Sequence, residues 1–80
     1  MDEVDGKVEA LLADVLQVPA ATITDDLAME GVEAWDSLKH MELVVALEEA
    51  FGVELTFDEI VRMRSVGEIK RVLGARSAAG

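Results

Sequence analysis

A hydroxyl at the start of the strongest helical segment is the first chemical feature of this chain. Ser37 follows Asp36 and opens a run of helical periodicity that ends at Phe51. The first-turn N–H groups of a helix have no intrahelical acceptor and carry positive potential, so a phosphate on that hydroxyl would be favoured. The same placement makes Ser37 a capping candidate beside Asp36. As a hydrolytic nucleophile Ser37 lacks partners: His40 is the one evident base, and no oxyanion hole can be named. On a helical wheel started at Ser37, His40 falls at about 300°, toward the core stripe, and reads as a partly buried structural histidine. The 80 residues include no cysteine and one histidine. That leaves no disulfide, no thiolate metal site, no Cys nucleophile and no His-rich metal site. No catalytic and no metal-ligating residue is expected.

The helix that carries Ser37 has two apolar stripes. Leu43, Val44, Leu47 and Phe51 gather between about 240° and 340° on the wheel and form the core stripe. Leu38, Met41 and Val45 gather between about 40° and 100°. Glu42, Glu48 and Glu49 flank this second stripe. A small bundle needs one stripe per helix. The second either packs under a neighbouring loop or forms an apolar strip rimmed by carboxylates for a partner with an apolar groove and a basic rim.

The elements that position these residues follow from periodicity and punctuation. Val4, Val8, Leu11, Leu12 and Val15 recur at helical spacing and predict a first helix from Glu3 to Leu16, ended before Pro19. Residues 17–35 keep no period; Ile23 and Leu27 are the expected anchors of this long connection, and Thr24-Asp25-Asp26 could start one helical turn. Asp36 suits the N-cap of the second helix and Gly52 the position beyond its end. Thr56-Phe57-Asp58-Glu59 and Ser65-Val66-Gly67-Glu68 read as capping boxes. The first opens a short helix through about Arg62. The second opens a last helix with Val66, Ile69, Val72 and Leu73, expected to stop at Gly74. The reading is all-α: a small antiparallel four-helix bundle, three longer helices and one short, with a long loop between the first two. Residues 1–74 form the domain and 75–80 a flexible tail.

Composition narrows the partners. The chain is 51% hydrophobic, 30% charged and 4% aromatic, with a net charge of −10. The apolar fraction excludes intrinsic disorder. The acidity disfavours nucleic acid and anionic membranes and attracts basic protein patches. No apolar run approaches the roughly 20 residues of a membrane span. The acidic start, Met1-Asp2-Glu3-Val4-Asp5, does not read as a signal peptide. A cytoplasmic, monomeric protein is expected.

At Asp36-Ser37-Leu38 the chain resembles the acyl carrier protein family. The resemblance runs along the second helix to Phe51, through the 52–55 link and the short helix, to Ser65-Val66. It is strongest over residues 35–73. It implies that Ser37 is the attachment point of 4′-phosphopantetheine, transferred from coenzyme A by a phosphopantetheinyl transferase, with Asp36 and Leu38 completing the attachment motif. The distal thiol of that arm would carry an acyl group as a thioester, which accounts for the missing cysteine. The protein would catalyse nothing; it would deliver acyl groups from a loading ligase or acyltransferase to a synthase. Leu38, Met41, Glu42, Val45, Glu48 and Glu49 become the docking face. Leu43, Leu47, Leu55, Ile60 and Met63 become the set that could shelter an acyl chain.

Two departures from the common fatty-acid carriers stand out. Arg62 and Arg64 place positive charge on and after a short helix that is usually more acidic. Trp35 directly precedes Asp-Ser-Leu, as in stand-alone carriers of specialised pathways; it is either a hydrophobic staple on the helix or a wall shaping the arm's exit. Lys39, two residues after the attachment site, reads as a solvated side chain. A polyketide-type carrier is the leading expectation. An aminoacyl carrier, a primary fatty-acid carrier and an acidic adaptor without prosthetic group are the alternatives.

Overall fold

The computed structural model describes residues 3–79, with side chains to residue 76. Met1, Asp2 and Gly80 lie outside the described residues, and with Gly80 the end of the expected tail. Four helices follow in order: α1 (Glu3–Leu16), α2 (Ser37–Phe51), α3 (Phe57–Arg62) and α4 (Val66–Ala79). Single 3-10 turns at Ala20–Thr22 and Met29–Gly31 lie in the long connection. The all-α bundle with three longer helices and one short one is the architecture expected.

Each helix end has a chemical cause. At the end of α1, Gln17 adopts the left-handed conformation (φ 59°). There the Val18 N–H donates to the Ala13 carbonyl at 3.1 Å, and the Gln17 amide donates to the Asp14 carbonyl at 2.7 Å. Asp36 caps α2, its carboxylate accepting from the Lys39 N–H at 2.9 Å. Gly52, at φ 65°, closes α2, a conformation that only glycine adopts without a Cβ penalty. Thr56 and Glu59 form the full reciprocal box at the start of α3.

The second box is only half made. Ser65 Oγ accepts from the Glu68 N–H at 3.2 Å, but the Glu68 carboxylate takes Arg71 at 2.7 Å instead of reaching back. The expected stop at Gly74 is not made either. A glycine inside a helix costs only about 1 kcal/mol relative to alanine, and Ala75 and Arg76 beyond it are good helix formers. Arg76 is also held by tertiary partners: its Nε lies 3.3 Å from the Glu59 carboxylate, and its guanidinium donates to the Glu54 carbonyl.

The core sits where α1 packs on α2 and α4. Val8, Leu12, Leu43, Leu47, Ile69 and Leu73 are among its buried members. Phe51 lies at its edge, half-buried, with the Lys7 ammonium 5.1 Å from its ring centroid. In the long connection Ile23 is buried and Leu27 partly so, as anchors should be. Thr24 to Leu27 forms a single turn, closed by Leu27 N–H to Thr24 carbonyl at 3.0 Å, and no helix starts there.

The connection is sewn to the start of α4. Ala28 and Ser65 form an isolated antiparallel bridge. The Met29 N–H donates to the Arg64 carbonyl, and Val66 N–H to the Leu27 carbonyl, each at 2.9 Å. The Gly67 N–H donates to the Asp25 carbonyl at 3.1 Å. A Cβ on Gly67 would stand 3.3 Å from that carbonyl oxygen, so the close approach favours glycine. Lys70 completes the seam, reaching Asp25 at 2.6 Å and Glu9 at 2.7 Å. These two hydrogen bonds, Asp25 first and then Glu9, hold the Lys70 ammonium well above its ordinary pKa. One buried-stem lysine thus joins α1, the connection and α4.

Candidate functional site

Asp36 as N-cap places Ser37 at the first helical position of α2, exposed to solvent. Asp36 spends its side chain on Lys39 N–H, and its carbonyl accepts from the His40 N–H. The Ser37 and Leu38 N–H groups point out of the helix start without an acceptor among the described residues, and the Ser37 hydroxyl is equally unengaged. A free hydroxyl beside two unpaired N–H donors fits a phosphodiester: the alcohol is available for esterification and the donors face an anion.

The orientation of this helix start is set by Trp35 and His40. Trp35 is buried, and its indole N–H donates to His40 Nδ1 at 3.0 Å. Indole is a donor only, so Nδ1 must be the acceptor and Nε2 carries the proton. Nε2–H then donates to the Ile60 carbonyl at 3.0 Å. Trp35 stands at N′ and His40 at N4, the two positions of a hydrophobic staple; here the staple is also hydrogen-bonded, and it reaches on to α3. His40 is therefore structural, as expected, and Trp35 is the staple rather than a wall at the arm's exit.

The second stripe of α2 is open to solvent. Leu38 is 68% exposed, Met41 49% and Val45 51%. The alternative, that this stripe packs under the long loop, is overturned. Phe57, 78% exposed, and Val61, 51%, extend the apolar surface onto α3; Phe57 opens a capped helix, which was legible, but its outward face was not.

The carboxylates around the stripe divide in function. Glu49 is exposed. Glu42 is exposed and pairs with Lys39 at 3.2 Å, so Lys39 is not simply solvated. Glu48 differs from the expectation of a free rim charge. It is half-buried, and its carboxylate accepts the Leu55 N–H at 2.9 Å, fixing the link between α2 and α3.

The residues expected to shelter an acyl chain are also divided. Leu43, Leu47 and Met63 are fully buried and Leu55 nearly so, all in close-packed core. Of the five, Ile60 alone borders an open space. That space is a cleft of about 240 Å³ lined by Met29, Ser37, His40, Met41, Ile60, Val61 and Arg64. Met29 reaches it from a stretch without periodicity and carried no sequence signal. Arg64 had one, as an unusual basic residue after α3. It pairs with Glu30 through a single 3.3 Å contact, both side chains more than half exposed. A hydrogen bond within Glu30 from its own backbone, and then the Arg64 guanidinium, hold the Glu30 carboxyl below the usual carboxylate range. Arg62 is exposed and has no carboxylate partner among the described residues.

Comparison with known proteins decides what this arrangement belongs to. Residues 6–73 match the family model described as a phosphopantetheine attachment site. The chain is 36% identical over 78 residues to an acyl carrier protein of Thermosynechococcus vestitus, covering 96% of this chain and 95% of that one. The chain belongs to the acyl carrier protein family. An acyl carrier protein of Helicobacter pylori is 33% identical over 66 residues, covering 82% of this chain and 85% of its own. The fold is that of a holo acyl carrier protein from Nitrosomonas europaea solved in solution, with TM-score 0.76 over the whole of both chains at 24% identity. The protein is thus a carrier and not a catalyst, and its family's prosthetic group is covalent 4′-phosphopantetheine. No described helix of this carrier is long and apolar enough to cross a membrane.

Proposed function

We propose that Ser37 is the residue that bears 4′-phosphopantetheine and that the carrier presents acyl groups on it to partner enzymes. The carrying observation is the free, exposed Ser37 hydroxyl at the first position of α2, flanked by two unpaired N–H groups inside the matched segment. In loading, the Ser37 Oγ–P bond forms as the pyrophosphate bond of coenzyme A breaks. The hydroxyl proton leaves with the transferase's base and 3′,5′-ADP departs. Once bound, the arm supplies a thiol that this cysteine-free chain lacks. The chain's own residues orient the site: Asp36 caps the start of α2 and leaves Ser37 exposed at its first position, and the Trp35–His40–Ile60 chain fixes α2 against α3.

The exposed strip of Leu38, Met41 and Val45, with Glu42 and Glu49 beside it, is the proposed docking face for the phosphopantetheinyl transferase, the loading enzyme and the synthase. Apolar contact with a charged rim suits fast, exchangeable encounters. A cytoplasmic, specialised and polyketide-type setting is the finer reading. Its support is the Trp35 that directly precedes Asp-Ser-Leu and the basic pair Arg62 and Arg64 on and after α3, both departures from the common fatty-acid carriers. Intact-protein mass spectrometry after incubation with coenzyme A and a promiscuous transferase tests the assignment. Wild type is expected to gain one phosphopantetheine, and Ser37→Ala none while keeping its helical circular dichroism. A loaded Ser37→Ala chain would overturn the assignment, and a wild type that gains nothing would favour the adaptor.

A further inference from the structure

We propose that Arg64, once Ser37 is esterified, exchanges Glu30 for the arm's phosphodiester and holds the proximal part of the arm in the cleft beside α2. This rests on the reading of Ser37 above. The cleft has one cationic side chain, Arg64, in a lining that is otherwise apolar apart from Ser37 itself and the engaged His40. Attachment adds negative charge to a chain that already carries −10, so a cation that lines the same cleft as Ser37 gains from meeting it; Lys39, nearby in sequence, is already paired with Glu42.

Arg64 is free to make that exchange while its backbone stays in place. Its carbonyl accepts from Met29 N–H at 2.9 Å and its N–H donates to the Arg62 carbonyl at 2.8 Å. The adjacent Ala28–Ser65 bridge locks the same segment. The side chain by contrast holds Glu30 by one contact at 3.3 Å. The Lys70 and Arg71 ion pairs close to 2.6–2.7 Å, the length expected of good charge-assisted bonds. The guanidinium pair with Glu30 is thus loose and exposed, whereas a phosphodiester can accept a fork of two parallel N–H bonds. The unpaired Ser37 and Leu38 N–H groups at the start of α2 add further donors.

The apolar walls suit the part of the arm next to the phosphate. The arm continues from its phosphate into a carbon bearing two methyl groups, a shape that fits Met29, Met41, Ile60 and Val61. A volume of about 240 Å³ falls short of the roughly 300–1,000 Å³ of ordinary ligand pockets. It has room for this proximal part and leaves the thiol end and its cargo outside, available to partners.

The test compares holo proteins, wild type, Arg64→Gln and Arg64→Lys, each first checked by intact mass for one phosphopantetheine. Wild type is expected to show the arm's two methyl signals displaced from their positions in free phosphopantetheine, with nuclear Overhauser contacts from them to Met29 and Ile60. Arg64→Gln should lose the contacts and return the methyl shifts to those of the free arm, and its ³¹P resonance should move toward that of a free phosphodiester. Arg64→Lys, which keeps the charge without the fork, should fall between. In wild type the Glu30 carboxyl, titrated by ¹³C NMR, should move upward from apo to holo, as it should in apo Arg64→Gln. Identical ³¹P and methyl spectra in all three holo proteins would overturn the proposal while leaving Ser37 loaded. An absence of the mass gain in wild type would instead overturn the carrier reading and this inference with it.

Discussion

Truncating the outward stripe of α2 should leave the fold standing while truncating the inward stripe should not. Leu47 is fully buried, and a buried Leu→Ala costs about 2–5 kcal/mol. That equals the roughly 3–5 kcal/mol total expected of so small a domain, so Leu47→Ala should be largely unfolded. Met41 and Val45 leave half of their surface in water and Leu38 two thirds. Full burial of such a side chain contributes about 1.5–3 kcal/mol. Half burial therefore caps the loss at about 1.5 kcal/mol for Met41→Ala or Val45→Ala, and Leu38→Ala should cost less. Alanine's better helix propensity offsets part of this, most for Val45. At about 4–8 °C per kcal/mol for a domain of this size, the outward variants should melt within about 10 °C of wild type, whereas Leu47→Ala should lose the fold. Thermal and urea unfolding by circular dichroism give the first reading, and the rate of loading by a transferase the second. The outward variants should load several-fold more slowly while remaining folded. If Met41→Ala lost as much stability as Leu47→Ala, the stripe would be core and the docking face would have to lie elsewhere. If all three outward variants loaded at the wild-type rate, the stripe would be exposed but not used by the transferase.

Lys70→Met should destabilise by about 1–2 kcal/mol, since it removes two charge-assisted bonds of which both carboxylate partners can rehydrate. The folded-state pKa of Lys70 is raised, so its contribution is fully present below the ordinary lysine value of about 10.4 and fades as pH rises through the higher folded value. Urea midpoints of wild type and Lys70→Met should differ by a constant amount from pH 6 to 9 and converge only in strong alkali; convergence near neutrality would refute the assignment. His40→Leu should cost about 1–3 kcal/mol by stranding the buried Trp35 indole N–H. Its tryptophan side-chain N–H signal should exchange faster with solvent, and unchanged exchange would show that Trp35 has another acceptor.

Chain-local features were readable because their causes lie within a few residues. Asp36 and Thr56 cap the helices they precede, Gly52 supplies the left-handed turn, and the spacing of Val8, Leu12, Leu43 and Leu47 selects the core faces. The proposed attachment motif is equally local: Ser37 is at an exposed helix start because Asp36 caps α2 there. The number, order and limits of the first three helices followed from such signals, and so did the two-faced character of α2.

Tertiary structure alone decided the rest, because a side chain's occupation depends on which groups the fold brings within about 3 Å. Glu48 and Glu49 are neighbours of one type. Only the folding back of the 52–55 link puts the Leu55 N–H against Glu48 and leaves Glu49 free. Gly74 reads as a stop, yet α4 continues, since contacts from Arg76 to Glu59 and Glu54 accompany the extension. Leu43, Leu47 and Met63 have the apolar character expected of an acyl-sheltering set, and the fold places all three fully buried in the core. The open cleft instead forms where the aperiodic connection at Met29 is sewn to Arg64 and meets Ser37. That seam joins residues some thirty-five positions apart through backbone hydrogen bonds, which no side-chain pattern in the sequence encodes.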